Sequence, residues 1–334
     1  MNAEAEFDSP VSTTLAELVQ LQAQARGLNK SAARRVKRLR SGPAQSRRLG
    51  RGLDFAEVRG YQPGDDVRMI DWKVTARTGH AHTKLFVEEK ERPVFLCVDA
   101  RSTMRFATRG VFKVALAQRL AALIGWHAVG RADRVGGLVF TDHWHSEIKP
   151  RSGSAGLMML FHALQSAATT PDAELATVHL QAQLERLRRL AHAGSEIYLF
   201  SDMLGFDEAC ESTLAAMLPH ADITLVHLSD SLERKLPPRG RYTLAPLAMA
   251  PSAPDAASPT RMVLQTGQQQ LQDRFASQWQ QRSEILSRLL RSHRGHYAVV
   301  DTRAALVDTA RALVGRLDMA VDEPDEADVK AARL

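Results

Sequence analysis

The chain is short of the features that would declare a secreted scaffold, a membrane protein or a familiar catalyst. Its 334 residues include only two cysteines, Cys97 and Cys210. They exclude a disulfide framework, and neither has a second cysteine at metal-ligand spacing, so a reducing compartment is expected. No uninterrupted apolar run approaches the ~20 residues needed to span a bilayer. The opening stretch, MNAEAEFDSPVST, is acidic and polar, the wrong chemistry for a secretory signal. A soluble cytoplasmic protein is expected. Gly-x-Gly-x-x-Gly, P-loop and nucleophile-elbow motifs are all missing, which argues against nucleotide hydrolysis by this chain. Aromatic residues are absent between Phe7 and Phe55.

That last absence bears on the charge. Residues 1–51 hold ten Lys or Arg against four Asp or Glu, so the net +6 resides there and the remainder is formally neutral. A basic run can attract nucleic acid, anionic lipid or an acidic protein. Without aromatics it offers no stacking platform, and no helix-turn-helix or zinc-finger spacing is visible. A solvated helical face or flexible lead-in is the simpler reading. Nucleic-acid binding through residues 28–51 is the rival, and it predicts a steep salt dependence.

What is present reads as a globular protein, 44% hydrophobic and 25% charged, long enough for one large domain or two modest ones. Leu15, Leu18, Val19 and Leu21 fall at helical spacing after Thr13 or Thr14 as N-cap, with Gly27 as a stop. Met69–Trp72 and Thr83–Val87 read as short strands of a small β subdomain. From Val94 onward, apolar strands alternate with helices: strands at Val94–Val98, Arg134–Phe140, Glu196–Phe200, Asp222–Leu228 and Tyr297–Val300. Such alternation predicts an α/β fold, a doubly wound and mainly parallel Rossmann-like sheet. The expected organisation is a helix and basic arm over 1–50, a β subdomain over 51–92 and an α/β domain over 93–317. A β/loop insertion is expected at about 229–267 and a flexible tail over 318–334.

Two places carry candidate chemistry. The segment 52–77 packs Glu57, Arg59, Asp65, Asp66, Arg68, Asp71, Lys73 and Arg77 among aromatics and a Pro-Gly turn. Each acid has an arginine within a few residues, and charge-paired carboxylates stay ionised and make poor proton donors. A structural network docking the subdomain onto the sheet is therefore preferred to catalysis, with Trp72 as a core anchor. The second place is the strand ends. Two buried strands that stop on Asp99 and Asp202 can bring two carboxylates to one rim of a parallel sheet, where ligands of open α/β folds bind. With the Thr103 hydroxyl, that pair could hold Mg²⁺. The His143/His145 and His80/His82 pairs lack a third ligand and are expected to be ordinary solvated or satisfied histidines.

The long ordered signature resembles that of the bacterial family known as domain of unknown function fifty-eight. The matching residues are Gly52, Phe55, Glu57, Arg59, Tyr61, Pro63-Gly64-Asp65-Asp66, Arg68, Ile70-Asp71-Trp72, Ala76-Arg77 and Glu88-Glu89. Further matches are Asp99, Thr103-Met104, Lys113, Asp133-Arg134-Val135-Gly136, Ser201-Asp202, Asp230, Glu233 and Leu236-Pro237. The resemblance covers about residues 45–316. It implies a von Willebrand factor A-like domain after a small β subdomain, and association with MoxR-type AAA+ ATPases that remodel or mature other proteins. Domains of that type hold a metal in an Asp-x-Ser-x-Ser loop, completed by a threonine and an aspartate from two other loops. By that pattern Asp99 is the first acid, Thr103 the last hydroxyl and Asp202 the third-loop acid. Ser152 or Ser154 is the best match for the second-loop hydroxyl.

Arg101 stands where the middle serine should be. A guanidinium cannot deprotonate and can neutralise both carboxylates, so an Arg101–Asp99–Asp202 ion cluster is preferred to a Mg²⁺ site. The expected function is a non-enzymatic adaptor for a MoxR-type ATPase and its client, with the partner held at this rim. A partner carboxylate would complete a metal shell, or meet Arg101 directly. Asp99→Ala or Asp202→Ala is expected to weaken partner capture with the fold largely intact. The rival is a metal-dependent, phosphoesterase-like hydrolase using Asp99 and Asp202, which lacks the additional ligands that two-metal hydrolysis needs.

Overall fold

A computed structural model describes residues 9–28, 53–62, 67–88, 92–169, 179–237, 239–244, 262–293 and 295–316. The basic stretch 29–50, Asp65 and Asp66, the 245–261 loop and the 318–334 tail lie outside the described residues. So do the side chains of Glu57 and Glu88.

The chain opens with α1 (Leu15–Gln20), whose Thr14 side chain caps the helix by accepting from the Glu17 N–H; helical backbone resumes over 22–28. Leu18, Leu21, Ala25 and Leu28 are buried in the main core. This segment is therefore part of the α/β unit rather than a free arm. Glu17 and Arg119, both buried, meet at 2.6 Å, and Arg119 Nη2 donates to the Ser9 carbonyl at 2.6 Å. Trp126 Nε1 donates to the Leu18 carbonyl at 3.0 Å.

Two compact units follow, one spanning 37–91 and the other the rest of the chain. In the smaller, β1 (Leu53–Gly60) pairs antiparallel with β2 (His82–Glu88). Between them lies α2 (Trp72–Thr78), which opens on the last residue of the expected strand Met69–Trp72. The reason is local. The Asp71 carboxylate accepts from the N–H groups of Lys73 and Val74, and Gly79 ends the helix at φ 76°. An N-cap acid followed eight residues later by a left-handed glycine sets a helix from Trp72 onward, and of the expected strand Met69–Trp72 only an isolated Ile70–Thr83 bridge remains after the 3₁₀ turn Val67–Met69. Trp72 is 69% exposed, so it is not a core anchor.

The larger unit is built on a six-stranded sheet. In chain order its strands and helices are β3 (Pro93–Asp99), α3 (Lys113–Gly130), β4 (Arg134–Phe140), β5 (His145–Arg151), α4 (Ala155–Thr169) and α5 (Leu180–Leu190). Then come β6 (Glu196–Ser201), α6 (Glu208–Met217), β7 (Asp222–Ser229) and the short α7 (Ser231–Arg234). A two-stranded insertion of β8 (Arg241–Leu244) and β9 (Met262–Gln265) precedes α8 (Gln269–Ser292), β10 (His296–Asp301) and α9 (Leu306–Gly315). Strand order is β10-β7-β6-β3-β4-β5; all neighbours run parallel except the β4–β5 hairpin. The α/β class and the mainly parallel sheet expected from the alternation are both present.

Side-chain alternation along β3 shows why the sheet is covered on both faces. Val94, Leu96 and Val98 enter one core with α1, α3, α4 and α9, while Phe95 and Cys97 enter the other with α5, α6 and α8. Helix α4 is pressed hard onto β4: a Cβ at Gly156 would stand 1.9 Å from the Val135 carbonyl oxygen. Because β3 and β6 are adjacent and parallel, with Val98 opposite Phe200, their carboxyl ends share one rim.

Candidate functional site at the strand-end rim

Asp99 is the last residue of β3 and is wholly buried; Asp202 follows the last residue of β6 and is 6% exposed. Arg101 closes the space between them. Its Nε donates to Asp99 Oδ1 at 3.0 Å, its Nη2 donates to Asp99 Oδ2 at 2.7 Å, and the same Nη2 lies 3.5 Å from Asp202 Oδ1. The Arg101 backbone N–H also donates to Asp99 Oδ1 at 3.0 Å, and Ser201 Oγ donates to Oδ2 at 2.7 Å. Burial drives the Asp99 pKa upward, opposed by the Arg101 guanidinium and the Ser201 hydroxyl. The Arg101–Asp99–Asp202 cluster anticipated from the sequence is formed.

Lys113, one of the signature residues, is a second buried cation of the rim. Lys113, the first residue of α3, is wholly buried, and its Nζ donates to Asp202 Oδ2 at 3.0 Å and to Glu233 Oε1 at 2.5 Å. Burial works to lower the Lys113 pKa, but Asp202 and then Glu233 hold it above its ordinary value. The signal available was a lysine at the first position of a helix with few charged residues, a position that must either face solvent or find acids.

Glu233 ties this pair to the next loop. With Asp230 it forms a capping box on α7, accepting from the Asp230 N–H at 3.0 Å. Asp230 in turn accepts from the Thr108 hydroxyl at 2.8 Å and the Thr302 hydroxyl at 3.0 Å. One polar network thus runs from β3 across β6 and β7 to the end of β10, where Arg234 pairs with Asp301.

The loop after β6 is fixed at every backbone group that matters. Met203, wholly buried, sits at φ 52°, a left-handed conformation rare for a non-glycine residue. Its N–H donates to Ser201 Oγ at 2.9 Å, and the Leu204 N–H donates to Asp202 Oδ1 at 3.0 Å. The Leu204 carbonyl accepts from Arg101 Nη1 at 3.1 Å, and the Met203 carbonyl accepts from Arg282 Nη1 at 3.4 Å. From this loop the Leu204 side chain projects, 48% exposed. Phe106, 39% exposed, stands with its ring 6.0 Å from Lys113 Nζ. Behind the loop, His227 on β7 is buried, shares a 2.7 Å hydrogen bond with the Tyr297 hydroxyl and stacks on Trp279. Burial, then nearby Arg282, lowers its pKa to about 4.

The donor set does not fit a divalent ion as arranged. Asp99 already accepts from Arg101 Nε and Nη2, while the two oxygens of Asp202 face Arg101 and Lys113. Thr103 lies in the 3₁₀ turn Ser102–Met104, and its hydroxyl is buried without a hydrogen-bond partner. Ser152 and Ser154 cannot belong to this rim. Arg151 pairs with Val135 at the start of β4, whereas Asp99 pairs with Phe140 at its end. Those serines therefore lie at the opposite edge of the sheet, exposed; the acid that reaches the rim beside β4 is Asp142, which accepts from the Ser102 N–H at 2.7 Å. Among the described residues no group of three His, Cys, Asp or Glu could hold a metal.

The described signature residues of the smaller unit occupy varied positions. Arg59 Nη1 donates to the Gly60 carbonyl at 3.1 Å. Asp71 serves as the α2 cap, and Arg68, Trp72 and Arg77 lie at the surface.

A doubly wound α/β domain whose strand-end acid pair is closed by internal cations defines the class. The chain belongs to the family described as protein of unknown function DUF58, whose profile matches residues 57–285. It is similar to the uncharacterized protein Rv1480 of Mycobacterium tuberculosis, 30% identical over 196 residues, 58% of this chain and 61% of that protein. The alignment thus spans less than two thirds of that relative. YeaD of Bacillus subtilis, also uncharacterized, is 41% identical over 51 residues, 15% of this chain and 13% of YeaD. Among solved structures, the conserved hypothetical protein BatB of Bacteroides thetaiotaomicron aligns with TM-score 0.41 and 13% identity, over 67% of this chain and 98% of BatB. A von Willebrand factor type A protein of Catenulispora acidiphila aligns with TM-score 0.36 and 9% identity, over 75% of this chain and 45% of that one. No helix among the described residues is long and apolar enough to cross a membrane.

Proposed function

We propose that this chain is a non-enzymatic adaptor that works with a MoxR-type AAA+ ATPase in protein remodelling or complex maturation, and that its partner docks on the strand-end rim. The observation that carries this reading is the construction of the loop after β6. Backbone held in a sparsely populated conformation persists only where its surroundings over-determine it, and such strain gathers at functional sites. Here buried Ser201, Asp202 and Arg101 fix the loop and leave Leu204 projecting from it. An apolar anchor carried on a loop that is already fixed spares the cost of ordering that loop on binding. Phe106 supplies a second apolar contact on the same rim. The acids beside them are engaged by cations, which supports docking over proton transfer.

The test is capture of the purified MoxR-type ATPase from the same genome by immobilised full-length chain. Leu204→Asp should reduce capture by about tenfold or more, equivalent to about 1.4 kcal/mol, with an unchanged melting temperature. Failure of the wild-type chain to bind, or equal capture by the variant, would overturn the proposal.

A further inference from the structure

We infer that this chain carries its own cation at the strand-end rim: the Arg101 guanidinium, assisted by the Lys113 ammonium, takes the place of a divalent ion between Asp99 and Asp202, so the rim is assembled without metal. Charge supports the replacement. The Arg101 guanidinium faces both Asp99 and Asp202, and the Lys113 ammonium is shared between Asp202 and Glu233, so each rim acid already has a fixed cation beside it. An entering ion would therefore meet two fixed cations, neither of which leaves without breaking buried contacts.

Geometry supports it independently. Arg101 donates to Asp99 through Nε and Nη2, its Nη2 also approaches Asp202, and its Nη1 donates to the Leu204 carbonyl, so one side chain links the first loop to the third. A bound ion ligated from both loops would have the same task. Thr103 is the residue left over. Its hydroxyl is buried and unpartnered, whereas buried polar groups in native structures are overwhelmingly satisfied. It sits two residues after Arg101 and four after Asp99, at the position of the pattern's last hydroxyl. A ligand whose ion has been replaced by a guanidinium would be left in this condition.

One substitution should therefore reverse the exchange. Arg101→Ser restores the Asp-x-Ser-x-Thr spacing, removes the competing charge and opens space beside Asp99, with Thr103 and Asp202 in place. The inference concerns the same rim as the adaptor reading but needs no partner for its test. Should that reading hold, partner capture by the wild-type chain would also be insensitive to chelators.

The experiment is titration of the full-length chain with Mn²⁺ and Mg²⁺, followed by calorimetry and by water-proton relaxation for Mn²⁺. Melting temperatures are measured with Mg²⁺ and with EDTA. The wild type should show no saturable binding and the same melting temperature in both. Arg101→Ser should melt lower than wild type in EDTA, recover on adding Mg²⁺, and bind Mn²⁺ saturably, with stabilisation following mass action. Adding Asp202→Asn to that variant should abolish the gain. If Arg101→Ser does not fold, Arg101→Gln serves in the same assays, because it removes the charge while retaining a long polar side chain. Saturable wild-type binding that Asp99→Asn removes would overturn the inference, as would a folded charge-removed variant that binds no metal. Both results are independent of the Leu204→Asp capture assay.

Discussion

Lys113 Nζ lies 3.0 Å from Asp202 Oδ2 at the base of the rim, with the lysine side chain wholly buried and the aspartate nearly so. The pair joins the first turn of α3 to the end of β6, two elements far apart in sequence. Its significance lies in dielectric setting. A paired charge in the interior is tolerated because its partner is present, and removing one member strands the other away from water.

Asp99→Ala and Asp202→Ala should each destabilise the chain by about 3–5 kcal/mol, because Arg101 or Lys113 would be left buried with part of its counter-charge gone. Burial thus changes the sequence-based expectation of a largely intact fold. Chemical denaturation of the two variants against wild type measures the loss. A change below about 1 kcal/mol would mean the pairs behave as surface ion pairs.

Glu17→Ala should cost a similar ~3 kcal/mol by stranding Arg119 in the core, and should release residues 9–28 to protease while the sheet remains protected. The compensating double change Glu17→Leu with Arg119→Met should restore most of the stability, since apolar replacement of a buried pair is often neutral. Limited proteolysis and denaturant midpoints decide the matter. Identical cleavage of wild type and Glu17→Ala would refute it.

Stability should fall in mild acid. The unfolded imidazole of a histidine titrates near 6.5, whereas folded His227 titrates near 4. Between those values the unfolded chain binds the additional proton. The stabilisation is therefore complete above pH 6.5 and is lost as pH falls toward 4, at up to about 1.4 kcal/mol per pH unit for one proton. His127, whose pKa burial and then Arg131 lower to about 4, acts in the same direction. Denaturant midpoints between pH 7 and pH 4.5 should slope downward, and His227→Phe should flatten the slope by about one proton. Parallel slopes for wild type and variant would exclude His227 as a source.

The large-scale fold was legible because its strands are continuous apolar runs and its helices are amphipathic, two signals that survive without tertiary knowledge. The small unit was harder. Met69–Trp72 alternates like a strand, yet only Ile70 keeps a β-bridge, to Thr83, because the Asp71 cap turns the chain into a helix at Trp72, and four residues do not reveal which influence prevails. Asp99, Arg101 and Asp202 were found because strand ends and a serine-to-arginine departure are visible in one dimension. Lys113 and Glu233 were matched but given no role, since their meeting depends on how α3 and α7 pack. Ser152 and Ser154 were misplaced for a related reason. The β4–β5 hairpin carries the chain back to the far end of the sheet, and residue spacing does not record that reversal.

The docking of residues 9–28 also imposes an order on biosynthesis. Thr13 Oγ1 donates to Gln118 Oε1 across 105 residues of sequence. At translation rates of about 5–20 residues per second, the nascent first helix waits roughly 5–20 s for its partner helix to be made. During that interval Leu18, Leu21 and Leu28 have no native surface to cover them. Residues 9–28 thus leave the ribosome before α3 and cannot complete their native contacts until α3 follows.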